Sequence, residues 1–142
     1  MAPPRIRRVA ATSAEIHDWL EAFSSAVRSV DYARGARLFD PVALGFGSVA
    51  MRADGCEQLV REQWRKTWPV TRDFRFDLDL ARIDVVGGVA WVASRWSSTG
   101  FDAAGVPFPR VGRSSIVLRR SAKGWLAVHT HFSLRPDAAS AP

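Results

Sequence analysis

The fold of this chain is decided by Arg113–Pro136, which reads RSSIVLRRSAKGWLAVHTHFSLRP. Two runs of residues that favour β-structure flank a tight connection at Lys123-Gly124, and this pattern predicts an antiparallel hairpin. We expect every other element of the chain to pack on this hairpin or to extend its sheet.

The composition predicts one globular domain. A chain of 142 residues can bury a core without disulfides, and a content of 47% apolar and 24% charged residues excludes wholesale disorder. The net charge is +6, but the arginines are scattered along the sequence. A solvated basic surface is therefore predicted rather than a nucleic-acid site.

The single cysteine, Cys56, allows no internal disulfide and fits a reducing compartment. No stretch of sequence has the apolar length of a membrane span, and the N-terminus lacks the apolar core of a signal peptide. We therefore expect a cytoplasmic protein that uses no cofactor and has neither a membrane nor a nucleic acid as a partner.

The N-terminal half is predicted to be mainly helical. Residues 1–12 contain two prolines and no periodicity, so we expect a mobile arm there. Ser13 can cap a helix over Ala14–Val30, where apolar residues recur at spacings of three and four and form one core-facing stripe. A short second helix is expected over Tyr32–Phe39, and a third over Gly55–Trp68.

The C-terminal half is predicted to be β-structure. Apolar and polar residues alternate strictly over residues 74–80, and Gly87-Gly88 is a two-residue hairpin signal. A returning strand over Val89–Thr99 is followed by a long polar connection, Gly100–Pro109, and then by the closing hairpin.

The whole pattern predicts an α+β architecture. Three helices, with a short strand over Val42–Ala50 between the second and the third, precede a run of antiparallel strands. Since no internal repeat or linker divides the sequence, we expect a single domain over residues 13–136 and a tail over residues 137–142.

The closing segment Gly124–Pro136, GWLAVHTHFSLRP, resembles the ending of proteins in the SnoaL-like branch of the nuclear transport factor 2-like superfamily, which also includes ketosteroid isomerase. It has a Gly-Trp step, an apolar step, a His-x-His-x-Ser pattern and a proline soon after. The association domain of calcium/calmodulin-dependent protein kinase ends in a similar way. Other matching segments are VGRSSIVLRR, VAWVASRW and the helix end QWRKTWP, so the resemblance covers about residues 14–136.

This resemblance implies a cystatin-like fold, in which a curved antiparallel sheet forms a cone around about three N-terminal helices. A largely apolar ligand pocket is expected at the open end of the cone, and a homodimer is expected to form through the outer face of the sheet. The superfamily includes isomerases, cyclases, dehydratases and non-catalytic assembly domains, so the fold does not fix one activity.

Alternation of side chains assigns the last strand to two faces. The predicted inner face carries Leu126, Val128, Thr130, Phe132 and Leu134. The predicted outer face carries Trp125, Ala127, His129, His131 and Ser133.

His129 and His131 are the most tempting catalytic candidates. Their spacing places both imidazoles on one face of the strand, where such a pair can serve a metal or acid–base chemistry. Two histidines are not a complete metal site, and no carboxylate is linked to them by position, so no metal is predicted. A hydrogen-bonded structural pair on the outer face is the simpler interpretation.

Arg95 and Arg113 are the predicted charged residues of the pocket. Arg95 lies in an otherwise apolar strand, and a buried guanidinium requires an anionic partner or ligand. The kinase association domain carries an arginine at the position that Arg95 matches. The alternative is that Arg95 emerges at a strand edge or pairs with Asp31 or Asp79.

Asp31 and Tyr32 invite comparison with ketosteroid isomerase, in which a tyrosine and a carboxylic acid form an oxyanion hole and an aspartate acts as base. The match is by residue type only. Asp31 can instead cap the second helix, while Asp77 and Asp79 alternate with apolar residues and should face outward.

The predicted function is binding of a small organic ligand, with anionic molecules among the candidates, in an aromatic-lined pocket. One alternative is a cofactor-independent isomerase, cyclase or dehydratase that works by general acid–base catalysis. Another is a domain that only oligomerises, which requires a filled cone. The predicted pocket residues are Tyr32, Phe46, Trp64, Trp68, Trp91, Arg95, Arg113, Ser115, Thr130 and Phe132. The catalytic candidates are Tyr32, Asp31, His129 and His131.

Overall fold

A computed structural model describes the backbone of residues 4–136 and the side chains from residue 12 onward. Its first element is the long helix α1, Pro4–Arg28. Within the described residues, no helix is long and apolar enough to cross a membrane.

Helix α1 begins ten residues before the predicted start at Ala14, so the backbone of the predicted arm is helical from Pro4 onward. Arginine and alanine, which dominate this segment, are strong helix formers, and proline is tolerated in the first helical turn. The first three residues of the predicted arm and the predicted tail, residues 137–142, lie outside the described part of the chain.

The apolar stripe of α1 faces the core, as its spacing predicted. The side chains of the stripe that are buried are Ile16, Trp19, Leu20, Phe23 and Val27. The stripe ends before Val30, which lies past the helix and is exposed.

The other helical segments are short. Helix α2 spans Tyr32–Ala36 and is followed, after two strands, by a continuous helical stretch. That stretch consists of α3, Cys56–Leu59; a π-helical turn, Val60–Trp64; α4, Arg65–Thr67; and a 3₁₀ turn, Trp68–Val70. The π turn adds a residue to the helical repeat, and it holds both Gln63 and Trp64 in buried positions.

Seven strands form one open, curved sheet. They are β1, Phe39–Phe46; β2, Ala53–Asp54; β3, Thr71–Phe76; β4, Arg82–Val86; β5, Val89–Phe101; β6, Pro107–Ser121; and β7, Gly124–Leu134. The order across the sheet is β2-β1-β7-β6-β5-β3, and β4 also pairs with β5. Strand β1 runs parallel to β7, whereas the other pairs are antiparallel.

The curved sheet and the helices that pack against its inner face confirm the predicted α+β architecture. Burial alternates along β5, where Val92, Ser94 and Trp96 face the helices. The same alternation continues in β6, whose Ile116 and Leu118 are fully buried. The hairpin of β6 and β7 contributes Ile116, Leu118, Trp125 and Ala127 to the core.

The long connection predicted over Gly100–Pro109 is wrong. Strand β5 continues to Phe101, and β6 begins at Pro107, so only a short turn separates them. Asp102 stabilises this turn because its Oδ1 accepts hydrogen bonds from the backbone N–H groups of Ala104, at 2.9 Å, and Val106, at 2.8 Å. The polar composition of the segment reflects an exposed hairpin tip rather than an irregular loop.

A β-bulge in β7 reverses part of the predicted face assignment. Val117 of β6 pairs with His129, whereas the next residue, Leu118, pairs with Ala127, so one residue of β7 is left without a partner. Before the bulge, Trp125 and Ala127 are buried, contrary to prediction. After it, the predicted faces are those observed, because an extra residue shifts the period-two alternation by one position.

Candidate functional site

A small cavity lies inside the cone, between the helices and the inner face of the sheet. Its unfilled volume is about 50 Å³. The residues that line it are Phe23, Val27, Phe46, Gly47, Ser48, Leu59, Gln63, Trp64, Thr67, Trp68, Thr71, Phe74, Trp96, Arg110, Thr130 and Phe132.

Aromatic rings fill most of the cone. Trp64 and Trp68 stack with their ring centres 4.5 Å apart and their planes 17° from parallel. Phe23 meets the edges of both indoles, at 5.8 Å in each case. Pockets for drug-sized ligands usually enclose about 300–1,000 Å³, so this cavity can admit only a molecule of a few atoms.

A hydrogen-bonded corner closes one side of the cavity. The amide oxygen of Gln63 accepts hydrogen bonds from the backbone N–H groups of Val49, at 2.9 Å, and Ala50, at 2.7 Å. Its Nε2 donates to Ser48 Oγ at 3.1 Å. The π-helical turn therefore fixes the loop after β1 through a single buried amide.

Arg110 reaches the same corner from β6. Its Nη2 donates to Ser48 Oγ at 2.9 Å, and its guanidinium carbon lies 5.1 Å from the centre of the Trp96 ring. No carboxylate of the described residues lies within ion-pair distance of this guanidinium. Burial lowers the pKa of Arg110, because desolvation disfavours the charged form.

Two hydroxyl groups add hydrogen-bonding capacity to this corner. Ser48 Oγ already accepts hydrogen bonds from Gln63 and Arg110, so its own hydrogen is left to donate. Thr130 is 2% exposed and lines the cavity. The corner is therefore rich in donors and holds one positive charge.

Five of the predicted pocket residues border the cavity. Trp64, Trp68, Thr130 and Phe132 line it from the helices and from β7. Phe46 borders it from β1. The ring of Phe46 packs edge-on against the imidazoles of His129 and His131 on the outer face.

Four other predicted pocket residues lie on the opposite, outer face of the sheet. Trp91 and Arg95 are exposed, because the buried positions of β5 are the alternate ones. Arg113 and Ser115 are likewise exposed on β6. Arg95 approaches Asp77 at 3.5 Å, rather than either carboxylate suggested by the sequence. Arg95 and Arg113 are therefore not residues of the inner cavity.

Asp31 and Tyr32 do not form an oxyanion hole in the cavity. Asp31 Oδ1 accepts a hydrogen bond from the backbone N–H of Arg34 at 3.0 Å, which confirms its predicted alternative role as the cap of α2. The Tyr32 ring stacks on Trp68 at 5.4 Å, and the guanidinium of Arg65 lies 4.5 Å from its centre. Tyr32 thus supports the wall of the cavity from behind.

The two histidines point away from the cavity, as the alternation predicted. His129 Nδ1 lies 2.8 Å from the carbonyl oxygen of Leu44, which accepts its hydrogen bond. Both imidazoles pack against the ring of Phe46, at centre distances of 5.1 Å for His129 and 5.5 Å for His131. No group of three or more potential metal ligands occurs among the described residues.

Sequence reasoning missed Arg110, Ser48 and Gln63. Arg110 lies between the connection predicted over Gly100–Pro109 and the predicted hairpin and was assigned to neither, although alternation counted back from the buried Ile116 places Ser114 and Arg110 on the inner face. This placement of Arg110 requires a strand β6 that begins before Arg110, as it does in the structure, at Pro107. The role of Gln63 depends on the π-helical turn, which has no clear signature in sequence.

The fold is shared with several solved structures. A nuclear transport factor 2-like superfamily protein from Salmonella enterica serovar Typhimurium LT2 superimposes with a TM-score of 0.78, at 22% identity, over 92% of this chain and 95% of that one. A ketosteroid isomerase-like protein from Erwinia carotovora atroseptica gives 0.74, at 19% identity, over 87% and 96%. The association domain of C. elegans CaMKII gives 0.69, at 18% identity, over 87% and 96%.

At these identities the likeness shows the fold alone, and it agrees with the predicted resemblance. No curated protein sequence gives a significant match. The model of the SnoaL-like domain matches residues 16–137, which is most of the sequence. The chain therefore belongs to the SnoaL-like domain family.

Proposed function

We propose that this protein binds a small organic anion, of the size of formate or acetate, in the inner cavity. The observation that carries the proposal is the guanidinium of Arg110. It is half-buried, lines the cavity and lacks a carboxylate partner within the described residues.

Burying a charge is costly unless another charge or strong hydrogen bonds compensate it. A carboxylate beside Arg110 supplies that compensation through charge-assisted hydrogen bonds. The hydroxyl hydrogen of Ser48 and the hydroxyl of Thr130 are further donors to the same anion. The indoles of Trp64 and Trp96 offer apolar surface for a methyl group.

Acid–base catalysis is less well supported. No Asp, Glu or His belongs to the side chains that line the cavity in the described part of the chain. An isomerase, cyclase or dehydratase that works by proton transfer needs such a group within hydrogen-bonding reach of its substrate. Binding without reaction is therefore the function that this geometry favours.

The expected affinity is modest because the ligand is small. A ceiling of about −1.5 kcal/mol per non-hydrogen atom limits acetate to about −6 kcal/mol, or a Kd of roughly 40 µM. Affinities between this limit and the millimolar range can be measured by NMR. The indole N–H resonances of Trp64, Trp68 and Trp96 report on the cavity directly.

The test is a titration with sodium acetate at constant ionic strength, balanced with sodium chloride. We expect saturable shifts of the three indole resonances, which Arg110→Gln abolishes. Arg82→Gln is the matched control, because it removes an exposed arginine of β4 that does not line the cavity. The proposal is wrong if Arg110→Gln binds acetate as tightly as the wild-type protein, or if the wild-type protein shows no saturable response.

Self-association is a second candidate function, and the near-complete filling of the cone favours it. On the outer face of β5, Trp91 is 39% exposed and Val89 is 47% exposed. Large apolar side chains at such a position are typical of an interface. An association domain is among the structures that share the fold. We propose a homodimer that covers Trp91.

Sedimentation velocity at micromolar concentration tests this candidate. The wild-type protein should sediment as a dimer and Trp91→Lys as a monomer. Met51→Lys adds the same charge at a 90% exposed position between β1 and β2 and should remain dimeric. A wild-type protein that is strictly monomeric removes the candidate.

A further inference from the structure

A second and much larger hollow lies outside the cone, between the β3–β4 connection and the ends of the central strands. Its volume is about 740 Å³. Four arginines from four separate segments line this hollow, which we call the arginine groove. They are Arg75 of β3, Arg95 of β5, Arg113 of β6 and Arg135, which follows β7.

Two of these arginines face each other directly across neighbouring strands. Arg95 is the register partner of Arg113 in the antiparallel pair of β5 and β6. Both are exposed on the outer face, because their chain neighbours Ser94, Trp96 and Ser114 are buried. Like charges directly opposite each other destabilise a sheet. An anion bound between the two guanidinium groups relieves this repulsion.

The protein compensates this charge only in part. Arg113 donates to Ser133 Oγ at a long 3.5 Å, and among the described residues it makes no ion pair. Arg95 approaches Asp77 at 3.5 Å. This weak contact is partly screened by solvent.

The groove also contains acidic groups, and these do not balance the arginines. Glu21 already pairs with Arg28 at 2.7 Å. Asp77 and Asp79 belong to the β3–β4 connection, and Asp77 is the partner of Arg95. Once Glu21 is assigned to Arg28, four guanidinium groups face two carboxylates. The lining of the groove therefore keeps an excess of two positive charges.

We propose that the arginine groove binds an organic or inorganic anion with two or more negative charges, held between Arg95 and Arg113 and extending toward Arg135. The planar guanidinium matches phosphate and carboxylate oxygens bidentately. The volume of the groove falls within the range of about 300–1,000 Å³ that is usual for small-molecule sites.

This site is distinct from the inner cavity, although Trp96 borders both. Arg95 and Arg113 lie on the opposite face of the sheet from Arg110. On the outer face, Arg95 lies four residues along β5 from Trp91, or about 13 Å.

The experiment is isothermal titration calorimetry with sodium tripolyphosphate and with sodium citrate, at constant ionic strength. The two probes separate a preference for phosphate from a preference for carboxylate. The test variant is the double substitution Arg95→Gln/Arg113→Gln. Its matched control is Arg37→Gln/Arg82→Gln, which removes the same charge at two exposed positions outside the groove.

We expect saturable binding of at least one probe by the wild-type protein. Loss of two charged hydrogen-bonding groups should weaken that binding by at least about tenfold in the test variant, whereas the control should stay within about twofold of the wild type. A thermal melt without anion provides a second readout. The test variant should melt at the same temperature as the wild type or higher, because the like-charge pair is gone.

Two results would overturn the proposal. Equal weakening in the test and control variants would show that the probes respond to net charge rather than to the groove. The absence of saturable binding of both probes by the wild-type protein would exclude a multivalent anion site. The single variant Arg113→Gln serves as the test if the double variant does not fold.

Discussion

The guanidinium of Arg110 rests on the indole of Trp96, 5.1 Å from the ring centre, and this contact depends on a glycine between them. Trp96 of β5 is the register partner of Gly112 of β6. A Cβ atom built on Gly112 would collide with the indole of Trp96 and with the carbonyl oxygen of Ser133. Because Gly112 has no side chain, the indole of Trp96 can lie against β6 and contact the guanidinium of Arg110.

Gly112→Ala should destabilise the fold strongly. One of the atoms that the new methyl group meets is a backbone carbonyl of the neighbouring strand, which cannot move without distorting the sheet. We expect the free energy of unfolding to fall by about 3 kcal/mol, as for severe overpacking. Urea denaturation followed by circular dichroism measures this change.

The control for that substitution is Gly88→Ala, at the β4–β5 turn. No atom lies within 4 Å of a Cβ built on Gly88, so its free energy of unfolding should change by less than about 0.5 kcal/mol. Equal stability of the two variants would contradict the packing described for Trp96.

Gln63→Leu tests the amide that fixes the corner of the cavity. Gln63 is 8% exposed, and its loss leaves the N–H groups of Val49 and Ala50 without acceptors. We expect a loss of about 2–3 kcal/mol in the free energy of unfolding. Gln63→Glu keeps the acceptor oxygens and should recover much of that loss.

Gln58→Leu is the matched control in the same helical stretch. Its side-chain oxygen accepts a hydrogen bond from the N–H of Asp54 at 2.7 Å, at an exposed position where water can replace it. The expected loss is below about 1 kcal/mol. A Gln63→Leu variant no less stable than Gln58→Leu would show that the buried amide does not hold the loop.

The architecture could be predicted from the sequence because it depends on patterns that repeat over many residues. The stripe of α1 and the alternation of β5 to β7 each involve many side chains, so a single error does not change the result. The closing motif, Gly124–Pro136, indicated the family. The predicted outward direction of His129 and His131 followed from the same alternation.

The site was harder to predict because single residues decide it. One bulged residue in β7 reverses the faces of Trp125 and Ala127, and the hydrophobic pattern does not mark it. Arg95 was assigned to the pocket because its strand is apolar, yet the residues of β5 that face the core include serines, such as Ser94. The apolar character of β5 therefore suggested Arg95, whereas the arginine that lines the inner cavity is Arg110 of β6.

Glu15 joins α1 to the closing hairpin, and its removal should weaken that junction. Its Oε2 accepts a hydrogen bond from Trp125 Nε1 at 2.7 Å and another from Arg120 Nη2 at 3.2 Å. The ion pair is half-exposed and contributes little, so the indole bond should dominate. We expect Glu15→Ala to lower the free energy of unfolding by about 1 kcal/mol.

Glu15→Gln separates the hydrogen bond from the charge. The amide oxygen still accepts from Trp125, so this variant should lose less than about 0.5 kcal/mol in the same urea experiment. Asp18→Ala, at an exposed position of α1, controls for the removal of a carboxylate from this helix. A Glu15→Gln variant as unstable as Glu15→Ala would assign the junction to the ion pair instead.

Cys56 should be inert in the folded protein at neutral pH. The residue is 6% exposed, and burial raises the pKa of its thiol from an ordinary 9.0 to about 11. Since the thiolate is the reactive form, Ellman's reagent at pH 8 should leave the folded protein unmodified and react fully after unfolding in urea. Rapid modification of the folded protein would show that the thiol is accessible.

The same raised pKa predicts a loss of stability in alkali. The contribution of Cys56 to stability is complete below the ordinary value of 9.0 and declines as the pH rises toward about 11, because the unfolded chain releases the thiol proton first. Cys56→Ala has no thiol and therefore lacks this pH-dependent contribution to stability, while every other titrating group is common to both proteins. The difference in free energy of unfolding between the wild type and Cys56→Ala should therefore shrink steadily from pH 8.5 to pH 10.5 if the thiol ionises near about 9 once exposed. A difference that stays constant over this range would mean that the folded protein accommodates the thiolate as well as water does.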